Sequence, residues 1–387
     1  MEERNIPLFK PSISDEEINE VTATLRSGWL TTGPKTKEFE ENFSKYTGAK
    51  HSIGVINCTT ALFMSLIASK IKPGSEVITT PLTFCATANV IEQLNLKTVF
   101  ADVDRKTGCI SPKEIRKEVT GMTKAIIPVH FAGQPCDMDP IGEIAEKNNL
   151  EVIEDAAHAI GASYKNRKIG TISRFSCFSF YANKNITTGQ GGMITVNDDE
   201  DAKFLRMLRM YGFQEGAESR YTEEQVRHYY VEFPGYNFRM FDLLAAVGIP
   251  QLKKLDDGNH KRAMIKKTYD DHFSKIGEIE LLHANKNITS HGLHIYSIII
   301  DASKLRISRD EFANRLKARK IGVGIHYDAL HLHTYYKNKY GFKPGDFPNA
   351  EHISSRTISL PFFPSMTDDD TDYVISSVKE IINESRK

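Results

Sequence analysis

At 387 residues, 40% of them hydrophobic and 26% charged, the chain can bury a core without disulfide or metal staples, and its length suggests about two or three domains. Fifty basic residues balance fifty acidic ones, which removes the basic footprint expected of a nucleic-acid binder. No apolar run nears the ~20 residues of a membrane span, and the N-terminus lacks the basic start and apolar stretch of an export signal.

Predicted elements begin with a helix opened by a capping box, Ser14 with Glu17. Ile18, Val21 and Leu25 share one face of it, and Gly28 stops it. From about residue 50 to 196, short β-rich runs alternate with helical patterns. The strand candidates are Ile53–Ile56, Val77–Thr80, Thr98–Asp102, Ala125–Val129, Glu151–Glu154, Phe175–Phe180 and Met193–Val196. Runs such as Ala125-Ile126-Ile127-Pro128-Val129 are apolar throughout, as strands buried on both faces are, and they predict a mainly parallel sheet between helices. Between Phe213 and Phe233 the sequence turns polar and irregular and reads as a surface excursion near a site. A charged helix is expected from about Asp256, then a strand Ile295–Ile300, a helix capped by Ser308 with Glu311, a strand Gly322–His326, and a final helix opened by Thr367. A boundary near residue 250 divides this α/β chain into a large domain, 1–250, and a smaller C-terminal α/β domain, 251–387. Five scattered cysteines, Cys58, Cys85, Cys109, Cys136 and Cys177, form no CxxC and fit reduced thiols in a cytoplasm.

Three segments lie in the strand-to-loop contexts where α/β proteins place ligands. In Leu150-Glu151-Val152-Ile153-Glu154-Asp155-Ala156-Ala157-His158, Asp155 falls just past a buried strand. A carboxylate there is costly unless it meets a cation, although capping the next helix is an equal reading. In Cys177 to Gly192, a serine, Ser179, ends an aromatic strand, Lys184 follows five residues later, and Gly191-Gly192 permits close backbone approach. A solitary lysine is ordinarily a solvated surface residue, but the flanks of Lys184 are not surface-like. In Asn57-Cys58-Thr59-Thr60, a strand runs into a helix whose first-turn amides form a ready anion site, while a plain N-cap is the commoner outcome. Neither GxGxxG nor GxxxxGK[ST] occurs, so dinucleotide and Walker-type readings lose their support. An anion cradle, a strand-end carboxylate and a lysine on a Gly-rich loop are what pyridoxal 5′-phosphate requires.

The chain resembles the DegT/DnrJ/EryC1/StrS family of nucleotide-sugar aminotransferases. The resemblance runs in order through Ser27-Gly28-Trp29-Leu30-Thr31-Thr32-Gly33-Pro34, Pro81-Leu82-Thr83-Phe84-Cys85-Ala86-Thr87, Ile127-Pro128-Val129-His130, Glu154-Asp155-Ala156-Ala157-His158-Ala159, Ser179 to Lys184, Gly235-Tyr236-Asn237-Phe238-Arg239-Met240, Gly322-Val323-Gly324-Ile325-His326-Tyr327 and Ser359-Leu360-Pro361. Within the family it is most similar to the UDP-4-amino-4-deoxy-L-arabinose–oxoglutarate aminotransferase branch. It implies the fold-type I, aspartate aminotransferase-like architecture, with residues 1–250 as the cofactor-binding domain.

By resemblance, Lys184 is the Schiff-base lysine, Asp155 the partner of the pyridine nitrogen, and His158 a contact to the ring or its 3-hydroxyl. Phe84 matches the aromatic that stacks on the ring, where some relatives carry Trp. Ser179, Thr59 and Thr60 match the phosphate ligands, and Asn237 a ligand given by the partner subunit, which implies a homodimer with shared sites. His326, Tyr327, Trp29, Thr31 and Arg239 are the implied sugar-pocket residues. His326, His331 and His333 lack the Cys or carboxylate set that would complete a zinc tetrahedron, so no metal is expected. The implied reaction carries an amino group from glutamate, released as 2-oxoglutarate, to a nucleotide-linked keto sugar, a UDP-4-keto sugar, in a ping-pong cycle. Rivals are a sugar dehydratase using the same cofactor and a non-catalytic regulatory protein on the same scaffold.

Overall fold

A computed structural model describes residues 5–214, 228, 230–285 and 287–387. All seven strand candidates of the first half form, as β1 (His51–Val55), β2 (Glu76–Thr79), β3 (Lys97–Phe100), β4 (Thr123–Ile126), β5 (Glu151–Asp155), β6 (Phe175–Ser179) and β7 (Gly192–Val196). They make one sheet in the order β1-β7-β6-β5-β4-β2-β3. The pairings from β6 through to β3 are parallel, and β7 runs antiparallel to both of its neighbours. Most central-strand residues are buried on both faces, which is why those runs read as uniformly apolar. Because β7 is reversed, its first residue, Gly192, sits at the same sheet edge as the last residues of β1 and β6, opposite Val55 and Ser179.

A second, antiparallel sheet joins β8 (Ile279–Leu281), β9 (Tyr296–Ile300) and β10 (Thr357–Leu360). It packs with helices Leu255–Phe273, Arg309–Ala318 and Asp368–Ser385 around a core that includes Tyr269, Phe273, Phe312 and Val378. Ser308 caps the second of these helices and a Thr367–Asp370 capping box opens the third, as expected. The expected strand Gly322–His326 does not form: Ile321 bridges Ile6 and Gly324 bridges Ser359, each as an isolated pair. Gly322 packs where a Cβ would lie 2.4 Å from the Leu8 amide, so the N-terminal segment occupies the place that a partner strand would need. Most of the polar excursion between Phe213 and Phe233 lies outside the described residues.

The first helix, Asp15–Ser27, has its capping box and ends at Gly28 in the left-handed conformation (φ 73°), but its expected apolar face is not buried within the protomer. Ile18 and Leu25 are exposed, as are Ile13 and Leu30 beside them. The following helix, Pro34–Thr47, begins at Gly33 with no side-chain cap of its own. Asp242, fully buried, supplies it from more than 200 residues away. Its carboxylate accepts from the amides of Gly33, Lys35 and Thr36 at 2.7, 3.0 and 2.9 Å and from Thr36 Oγ1 at 2.7 Å. Asp242→Ala is expected to cost about 2–4 kcal/mol, because removing a charged acceptor leaves several buried donors unpaired. A fall in the denaturant midpoint with an unchanged slope is the measurement.

Candidate active site

Asp155 and Glu154 are adjacent on β5, both buried, and they differ in how the protein treats them. Burial pushes Glu154 up, but His130 at 2.8 Å, Ser176 at 2.9 Å and the Ser173 amide at 3.0 Å outweigh it and hold the carboxyl below its usual range. Asp155 has only Thr87 Oγ1, donating at 2.7 Å, and the Ala157 amide at 3.1 Å. Burial therefore wins, and its carboxyl is held above the usual range despite the Lys184 charge. The helix-capping reading fails as well: no α-helix follows β5 before the short strands at Ser163–Tyr164 and Arg167–Lys168. Glu154 thus accepts from three groups, His130, Ser176 and the Ser173 amide, and Asp155 from two.

Lys184 lies half-buried on the loop after β6, and burial lowers its amine from 10.5 to about 8, against the opposing pull of Cys58 and Asp155. Its Nζ is 3.4 Å from Nε2 of His294. His294 Nδ1 is 3.1 Å from Asn185 Oδ1, and the Asn185 amide nitrogen donates to Asn259 Oδ1 at 2.9 Å and to the Gly292 carbonyl. The Asn185 oxygen thus faces a ring nitrogen that must carry the proton, leaving the His294 lone pair toward Lys184. His158 packs against His294 with ring centroids 4.5 Å apart, and Tyr327 OH lies 3.1 Å from His158 Nε2. Burial keeps both imidazoles well below their normal range, and His326, 2.7 Å from Ser359 Oγ through Nδ1, is lowered to about 4. His158 Nδ1 is buried with no partner, and Phe84 stands exposed beside Tyr327, ring centroids 6.2 Å apart.

At the end of β1, Asn57 Oδ1 accepts from the Thr60 amide at 2.8 Å and caps helix Cys58–Ala68. The remaining first-turn amides, those of Cys58 and Thr59, point out of the helix end, where the macrodipole favours an anion. A Cβ on Gly192 would lie 2.5 Å from Asn57 C and 2.8 Å from Cys58 N, so only glycine lets β7 pass this close. Gly192→Ala is expected to shift this helix start, costing about 1–3 kcal/mol of stability and weakening pyridoxal phosphate retention, both measurable by equilibrium dialysis alongside thermal melting.

The structure therefore brings Lys184, Asp155, His158, Phe84, His326 and Tyr327 together, with Thr59, Thr60 and Ser179 at the neighbouring sheet edge. Trp29, Thr31 and Asn237 make their contacts elsewhere, and Arg239 meets this sheet edge through its backbone, as an isolated bridge to Val55. Trp29 Nε1 donates to the Thr32 carbonyl at 3.2 Å, the Thr31 carbonyl accepts from the Asp242 amide, and Arg239 Nε donates to Asn237 Oδ1 at 3.1 Å. Trp29 and Arg239 share a separate groove of about 1090 Å³ with Arg206. His331 binds Glu351 at 3.0 Å, and no cluster able to hold a metal occurs among the described residues. Thr87, His294, Asn185 and Asn259 are participants that sequence reasoning missed. Thr87, which ends the Pro81–Thr87 motif, and Asn185, which follows Lys184, lie in segments the sequence singles out; His294 and Asn259 do not.

A mainly parallel sheet with a half-buried lysine and a buried carboxylate at its carboxyl edge is the arrangement of a fold-type I aminotransferase that depends on pyridoxal phosphate. The model described as the DegT/DnrJ/EryC1/StrS aminotransferase family matches residues 11–379, and the chain belongs to that family. The spore coat polysaccharide biosynthesis protein SpsC of Bacillus subtilis (strain 168) is 46% identical over 380 residues, 97% of each chain. Among solved structures, the PMP form of Spr1654 from Streptococcus pneumoniae matches with a TM-score of 0.92 at 32% identity, over 98% of this chain and 100% of that one. PseC of Helicobacter pylori, an aminotransferase involved in the biosynthesis of pseudoaminic acid, matches at 0.90 and 27% identity, over 98% and 100%. The protein is accordingly a sugar aminotransferase.

Proposed function

We propose that the enzyme moves an amino group from glutamate to a nucleotide-linked keto sugar, a UDP-4-keto sugar, in a ping-pong cycle that serves cell-surface polysaccharide or related amino-sugar synthesis in the cytoplasm. The observation that supports cofactor chemistry at this site is the contrast on β5, where Glu154 is bonded by His130, Ser176 and the Ser173 amide while Asp155 has Thr87 and the Ala157 amide. Pyridoxal phosphate, when bound, supplies the electron sink for the carbanion at the substrate carbon. With the cofactor bound, Asp155 would meet the pyridine nitrogen and favour its proton. Lys184 holds the cofactor and then, as a free amine, carries a proton from and to the reacting carbon. Thr59, Thr60 and Ser179 hold the phosphate, and the unpartnered Nδ1 of His158 is available to the ring oxygen.

The active unit in this reading is a homodimer. The exposed Ile13, Ile18, Leu25 and Leu30 give it an apolar contact face, and Asn237 and Arg239, which make no contact with Lys184, serve the partner's site. His326 and Tyr327 line the sugar side from the small domain, which we divide from the large one near residue 250. All five cysteines are free, which supports a reducing compartment. Incubation with glutamate and a panel of UDP-, dTDP- and GDP-linked ketosugars, followed by product mass, tests the reading. Gain of an amine on one sugar is expected. Loss of oxygen without amination would make the protein a dehydratase, and cofactor binding without turnover would make it regulatory.

A further inference from the structure

Arg262, on helix Leu255–Phe273, is only 6% exposed, yet no carboxylate among the described residues pairs with it. Its Nη1 reaches Asn259 Oδ1 at a long 3.4 Å, and its Nε is buried with no partner among the described residues. Burial alone accounts for the lowering of its pKa to about 10. An uncompensated buried guanidinium is unfavourable in the absence of a ligand, and it persists where an anion arrives to complete it.

The same Asn259 oxygen accepts from Asn185, so Arg262 stands at the end of a chain that runs through Asn185 and His294 to Lys184. Arg262, Lys184, His294 and His326 line one cavity of about 40 Å³, whose lining includes Lys10 and contains no acidic residue. His294 and His326 are held neutral by burial. Once Lys184 is engaged with the cofactor, Arg262 is the buried fixed charge that remains. The cavity is the size of about three waters, which suits a carboxylate. A guanidinium fork also matches a carboxylate in bidentate geometry.

We propose that Arg262 binds a carboxylate of the amino donor and so selects an amino acid for the first half-reaction, without contributing to recognition of the sugar nucleotide. The assignment rests on the glutamate reading above. Glutarate, a dicarboxylate that can neither give nor accept an amine, is the probe. Calorimetry on the enzyme loaded with pyridoxal phosphate should show wild-type binding weakened about ten-fold or more in Arg262→Gln and less in Arg262→Lys, which keeps charge but loses the fork. In single half-reactions, Arg262→Gln should raise the KM for glutamate by a similar factor and leave the KM for the ketosugar within about two-fold. Glutarate binding that is absent in the wild type or unchanged in either variant overturns the proposal, as does an equal loss for donor and sugar. Wild-type enzyme that binds glutarate yet takes no amine from glutamate would overturn the donor reading instead. Thermal melts of both variants separate loss of binding from loss of fold.

Discussion

Lys184→Ala is expected to lower the amination rate by roughly 10⁴-fold, the upper end of what one positioned proton-transfer group contributes, and to leave no cofactor fixed to the polypeptide after borohydride reduction and peptide mapping. The structure gives the physical reason. Burial holds the amine near 8, so at pH 7–8 a useful fraction is neutral and nucleophilic, where a solvated lysine at 10.5 would be almost wholly charged. Capture of pyridoxal phosphate by the cofactor-free protein should accordingly accelerate as pH rises through about 8 and level off above it. The same burial has a cost in stability. A folded-state pKa below the unfolded one means that the unfolded chain binds more protons between about 8 and 10.5, so stability rises with pH across that window and the penalty is fully present below 8. Lys184→Met, which removes the charge and fills the space, should therefore raise the melting temperature of the cofactor-free protein at pH 7, and the gain should shrink above pH 10. A lysine adduct at another position, or a variant that melts lower at pH 7, would contradict this account.

The scaffold was legible because its signal is local. Strands such as Phe175–Ser179 and Gly192–Val196 are buried along nearly their whole length, and no surface pattern competes with their apolar runs. Gly322–His326 misled for the opposite reason. Its apolar residues are real, but its backbone partners are Ile6 and Ser359, and no local pattern reveals which distant segment lies alongside. The shared face of Ile18 and Leu25 is legible as apolar, but amphipathicity does not say what covers a face, and both side chains are exposed here. At the site, Asp155 at a strand end and Lys184 on the loop five residues past one are legible in the sequence as candidates. Thr87 and His294 act across 68 and 110 residues of sequence, and no spacing rule reaches that far. Arg262 was invisible for a simpler reason. Within a charged helix it looks like any solvated arginine, and only its burial without a counter-ion sets it apart.

Asp155→Asn is expected to cut turnover by about 10²–10³-fold, the loss typical of removing one preorganised electrostatic contact, while keeping the fold. The carboxamide can reproduce both existing bonds, its oxygen accepting from the Ala157 amide and its nitrogen donating to Thr87 Oγ1, so charge is the property that changes. Burial raises the folded-state pKa of Asp155 above its unfolded value. A group shifted in that direction contributes stability that is complete below the unfolded pKa, near 3.8, and is lost as pH rises through the folded pKa. Above that window the cofactor-free protein carries the cost of an uncompensated carboxylate, and Asp155→Asn should melt higher than the wild type at pH 7. Loading with pyridoxal phosphate should reverse the order, because the wild-type carboxylate then meets a cation and the carboxamide does not. Such a crossover distinguishes a cofactor partner from a structural carboxylate, whose replacement would lower both melting temperatures together. Asp155→Ala, which also strands the Thr87 hydroxyl and the Ala157 amide, should lose activity at least as far and give up the gain in cofactor-free stability.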